Sequence, residues 1–99
     1  MIGRTRHVLV VLADLQALDA QCERCFVLLE KGNDVAVCYV TPSATQLKEM
    51  LASQRRITAS LRLALNGSAE KIPVFVVSGQ AGDGIEDCAK AWGATVVER

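Results

Sequence analysis

The 99-residue sequence predicts an α/β protein with a doubly wound, open parallel sheet, and three observations carry that prediction. Two short apolar runs, VLVVLAD (Val8–Asp14) and VAVCYV (Val35–Val40), lack the polar alternation of a half-exposed strand, so both read as strands covered on two faces. Between and after these runs the apolar spacing changes to a period near 3.6 residues, which is that of amphipathic helices. Each periodic stretch is then closed by a helix-stop signal: Gly32-Asn33, Asn66-Gly67 or Gly93. The resulting order is β-α-β-α-β-α-β in a single domain, residues 1–99, without a linker, repeat or low-complexity segment. Alternation of this kind builds a parallel sheet with helices on both faces.

The first run ends at Asp14, where an open α/β sheet presents its ligand crevice. A helix over about residues 16–31 follows, with Leu18, Cys22, Cys25, Phe26 and Leu29 on its inward stripe. Pro42 ends the second strand. Ser43 and Gln46 have the form of a capping box, and Leu47, Met50, Leu51, Ile57, Leu61, Ala64 and Leu65 continue a helical period. At about 22 residues this helix is some 33 Å long, so it must overhang a strand of about 20 Å or break. Lys71–Ser78 is the third strand, with Pro73 marking it as an edge. The loop Gly79–Gly84 leads, through Asp83 as N-cap, to a helix over Gly84–Ala91 that turns Ile85, Cys88, Ala89 and Trp92 inward. Ala94–Glu98 is a short fourth strand. Because proline and charge blunt the third and fourth strands, they belong outside, which gives the order 3-2-1-4. The switch point then lies between strands one and four, with Asp14 at its lip.

The charge balance excludes several functions. Eleven basic and eleven acidic residues cancel, and four aromatics offer little for stacking bases, so neither nucleic acid nor an anionic membrane is an expected partner. Arg4 and Arg6 before an apolar run imitate a secretory signal. Asp14, however, interrupts that run, and a cytoplasmic location is expected. The four cysteines fall on apolar stripes and strands, as small buried hydrophobes do.

Asp14 is the leading candidate for chemistry, either as a ligand-binding carboxylate or as the cap of the next helix. Cys22-x-x-Cys25 lies two turns into its helix rather than at the N-terminus, where a thiolate would be stabilised, so a redox or metal role is a minor alternative. Gly79, Gly82 and Gly84 match neither dinucleotide nor Walker spacing and read as a flexible turn. Arg55, Arg56 and Arg62 read as the solvated face of the long helix. With a single histidine, His7, at the opposite end of the sheet, no catalytic triad or dyad can be assembled, and no enzymatic activity is expected.

VLVVLAD with Asp14, YVTP (Tyr39–Pro42) and VVSGQAGDGIEDCAKAWGATVVE (Val76–Glu98) together resemble the universal stress protein (UspA-like) family over nearly the whole chain. The resemblance implies a sheet of order 3-2-1-4-5, a small dimer, and in some members an adenine nucleotide at the strand ends. Carried onto this sequence, Leu12, Ala13 and Asp14 would face adenine and ribose and Val40 would pack on the base, with ATP or AMP as the ligand. This chain departs from the family in two places. Leu15-Gln16 stands where the family has a glycine-serine turn, and Arg99 stands where the family's glycine-rich phosphate loop and fifth strand would begin. Nucleotide binding is therefore expected to be weak or absent, in a stress-related regulatory or binding module. The alternative is a structural interaction or dimerisation domain without a small-molecule ligand. A homo-oligomer is expected through the fourth-strand edge at Val96 and Val97, since an exposed apolar edge tends to pair.

Overall fold

The computed structural model describes residues 5–42, 46–65, 72–79 and 84–99. Its elements run β1 (His7–Leu12), α1 (Leu18–Glu30), β2 (Asp34–Thr41), α2 (Leu47–Leu65), β3 (Val74–Ser78), α3 (Gly84–Trp92) and β4 (Val96–Glu98), with a single 3₁₀ turn at Leu15–Ala17 before α1. The sheet is parallel throughout, in the order β3-β2-β1-β4. Val8 stands opposite Val35 on one side and Val96 on the other, while Tyr39 stands opposite both Leu12 and Val76. The expected capping box at Ser43, the Asn66-Gly67 stop and the Asp83 cap lie outside the described residues.

Alternation along the strands divides the interior into two layers. Val8, Val10 and Leu12 point to the face covered by α1 and α2, where Cys25, Ile57 and Leu61 meet them. Leu9, Ala36 and Cys38 point to the other face, which α3 covers with Ile85, Cys88, Ala89 and Trp92. Leu9, Val10, Leu12, Ala36 and Cys38 are fully buried, as the unbroken apolar runs require. Among the described residues, one face therefore has two helices and the other a single nine-residue helix.

Local chemistry closes the helices. Gly32 takes φ +86° after α1, and the N–H groups of Gly32 and Asn33 return to the carbonyls of Leu29 (2.9 Å) and Leu28 (3.2 Å). Asn33 adds a side-chain bond to the same Leu28 carbonyl at 3.0 Å. Gly93, at φ +85°, closes α3 in the same way.

Several expectations are corrected. Phe26 is 44% exposed, and Leu28 takes the inward position instead, because α1 rests partly on α2 and its stripe rotates toward that helix. On α2, Leu47 and Leu51 are 70% and 47% exposed and Ala64 is exposed, whereas Ile57, Leu61 and Leu65 are buried. The helix does not break. It runs unbroken for 19 residues, and no side chain is fully buried before Ile57. β1 stops at Leu12, so Ala13 and Asp14 leave the sheet, and β4 begins at Val96 rather than Ala94.

Leu61→Ala is expected to cost about 2–5 kcal/mol in urea unfolding, since it empties a fully packed site under the sheet. Leu63→Ala, at a position 87% exposed, should stay within about 0.5 kcal/mol of wild type. Equal effects would mean that α2 packs through a different face.

Candidate functional site

The strand-one mouth is built by the carboxyl ends of β1 and β2. Leu12 is fully buried, so its side chain faces the core rather than a ligand. Ala13 and Asp14 are exposed, and Val40, one residue beyond the Leu12–Tyr39 pair, is half-buried beside them. The structure thus brings the four predicted residues together, but only Ala13, Asp14 and Val40 reach the surface.

Asp14 is already engaged locally. Its backbone is extended (φ −145°, ψ 130°), and its Oδ1 accepts the Gln16 N–H at 2.9 Å while its carbonyl accepts the Ala17 N–H at 3.0 Å. It is the cap of the 3₁₀ turn that launches α1, the cap role weighed for it in the sequence.

A neighbouring residue, not singled out in the sequence, reaches the carboxyl end of β1. The carbonyls of His7, Leu9 and Val11 face β4, as the Thr95 N–H on the His7 carbonyl at 2.8 Å shows. β4 ends opposite Val10, so the Val11 carbonyl lies past its reach. Gln21 of α1 takes that place, its Nε2 donating to the Val11 carbonyl at 2.8 Å. Val11 is buried, and a buried carbonyl left unpaired costs about 1–3 kcal/mol, a cost the Gln21 amide removes. The only sequence signal was a glutamine one helical position before the Cys22 stripe.

β4 is tied down from the same helix. Arg24 grips Glu98 bidentately, with Nε at 3.0 Å from Oε2, and the hydrogen bond holds the Glu98 carboxyl below its ordinary pKa. At the opposite sheet end, the His7 ring meets Trp92 edge to face at 5.3 Å and its Nε2 lies 3.3 Å from Asp34 Oδ2.

The cysteines do not form a reactive centre. All four are buried and reduced. Burial, then the neighbouring Cys22, pushes Cys25 up to about 12, and burial raises Cys22 as well, the reverse of an activated pair. Cys38 of β2 is likewise pushed up to about 12, by burial first and then by Cys88 of α3, its hydrogen-bond partner. No group of three or more His, Cys, Asp and Glu among the described residues is placed to hold a metal ion.

A groove of about 630 Å³ lies on the other side of the molecule. It runs along the outer edge of β3, between Leu47, Met50, Leu51 and Gln54 of α2 and Asp87, Cys88 and Ala91 of α3. The sequence marked Leu47, Met50 and Leu51 as core.

The fold belongs to the class of open, doubly wound parallel α/β sheets, here of order 3-2-1-4. No family model and no curated protein matches the sequence. Among solved structures, a universal stress protein in complex with cAMP superposes with a TM-score of 0.61 at 15% identity, over 96% of this chain and 71% of that one. Protein Rv1636 from Mycobacterium tuberculosis H37Rv superposes at 0.59 with 11% identity, over 98% and 72%. At these identities the likeness is one of fold.

The thiols generate a pH prediction. Folded Cys25 and Cys38 hold their protons to about 12, whereas the unperturbed value is 9.0. The stability they contribute is therefore full below pH 9 and is lost as the pH rises from 9 toward 12. The urea midpoint of the wild type should fall over that range, and the fall should be shallower in Cys38→Ala. Identical slopes would show that Cys38 ionises as freely in the fold as in the open chain.

Proposed function

We propose that this chain is a universal-stress-like, non-enzymatic regulatory or binding module with weak or absent affinity for adenine nucleotides. The observation that carries this reading is the strand-one mouth, where Asp14 caps its own turn and Gln21 holds the Val11 carbonyl. The fold likeness supports the stress-protein character. Among the described residues, no helix is long and apolar enough to cross a membrane, in keeping with the cytoplasmic location this reading assigns.

Self-association belongs to the same reading, with the β4 edge at Val96 and Val97 as one contact; Val97 is 38% exposed. The second reading, an interaction domain without a small-molecule ligand, is favoured by the apolar groove at β3.

Thermal unfolding with millimolar ATP, AMP and adenosine tests the proposal. A ligand at 100 times its dissociation constant adds about 2.7 kcal/mol, a shift of several degrees for a domain of this size. The expected result is a shift near zero for each, with Asp14→Ala lowering stability by about 0.5–2 kcal/mol through loss of the cap. A shift of several degrees that vanishes in Asp14→Ala would establish a working adenine site.

A further inference from the structure

We infer that the outer edge of β3 and the adjoining wall of α2 form a docking site for an extended segment of another protein, one that turns apolar and acidic side chains toward α2. This gives the interaction-domain reading above its partner and rests on that reading.

The backbone of the edge is laid out to receive a strand. The Val37 N–H donates to the Pro73 carbonyl at 3.0 Å, so Pro73, Phe75 and Val77 turn their peptide groups toward β2, and Val74 and Val76 turn theirs outward. Gln54 Nε2 donates to the Val74 carbonyl at 2.9 Å, in agreement with that direction. Among the described residues, nothing pairs with the outward N–H and carbonyl of Val76. An added strand satisfies both groups, which a lipid surface does not.

The two walls set what that strand carries. Val74 and Val76 belong to the layer of α2, whereas Phe75 and Val77 belong to the layer of α3. A strand beside β3 therefore sends alternate side chains to the two walls. On the α2 side they meet Leu47 and Leu51, which are 70% and 47% exposed. The same wall is basic. Lys48, Arg55 and Arg62 are exposed and recur every seven residues, so they share one side of α2 at intervals of about 10 Å. None of the three has an Asp or Glu three or four positions away, and none is in an ion pair among the described residues. Glu49, the acidic residue of α2, lies about 100° further round the helix than Lys48. Carboxylates of a partner thus find unpaired cations beside the leucines. The α3 wall differs, because Asp87 lines it and repels acids; the partner's other face is apolar and meets Phe75 and Val77. In the sequence Arg55 and Arg62 read as a solvated face, and the fold sets them beside an open strand edge.

Fluorescence anisotropy of a labelled peptide, Val-Glu-Val-Leu-Val-Glu-Val between Gly-Ser pairs, tests this against the full chain, with its glutamine and lysine counterparts alongside. The acidic peptide should saturate below about 1 mM protein, the range of small transient contacts. It should bind at least ~10-fold more tightly than the lysine peptide, and Lys48→Glu/Arg55→Glu, which alters exposed positions only, should reverse that order. Val76→Pro removes one outward N–H without touching the β2 ladder and should weaken all three peptides. Circular dichroism confirms folding of each variant. If the three peptides bind equally and Val76→Pro weakens them all, the acidic partner is overturned while the interaction-domain reading stands. If none binds, the inference falls and takes the groove out of that reading. Binding to phosphatidylserine vesicles that displaces the acidic peptide and survives Val76→Pro also overturns the inference, in favour of a membrane surface.

Discussion

The constraint on which the rest depends is that β1 has no solvated side. Leu9 and Val10 are both fully buried, on opposite faces, and the strand is paired along both edges. A strand of that kind requires neighbours on four sides, and α1 and α2 on one face with α3 on the other are what the remaining chain supplies. The crossovers are α-helices of 13, 19 and 9 residues, each long enough to return the chain in parallel. Burial of this strand thus sets both the order of the elements and their layering.

Where the sheet stops, its carbonyls still need partners, and glutamines provide them. Gln21 reaches the Val11 carbonyl where β4 runs out, and Gln54 reaches the Val74 carbonyl at the β3 edge. Thr41, buried at the end of β2, donates to the Val77 carbonyl at 3.2 Å for the same reason. One of these contacts sits in the place where this fold class opens a ligand crevice.

The two edges of the sheet are managed differently. β4 is short and its last residue is clamped by Arg24. β3 is longer, uncharged and flanked by leucines of the overhanging half of α2. The helix is longer than the strands it covers, so part of its apolar stripe has no sheet beneath it. That length mismatch, visible as a number in the sequence, becomes an exposed surface in the fold.

By itself the sequence determined the element order, the parallel sheet and even the strand order, because these follow from local signals: unbroken apolar runs, helix-stop glycines, and proline or charge on outer strands. It also placed the four cysteines in the core. Only the tertiary structure decided which residues of α1 and α2 are inward, since the 3.6-residue period marks a stripe but not where a helix runs off its sheet; Phe26, Leu47 and Leu51 emerged exposed for that reason. It alone showed Gln21 beside Val11 and Arg24 beside Glu98, 10 and 74 positions apart. Such pairs depend on strand register and helix placement, which no local pattern encodes.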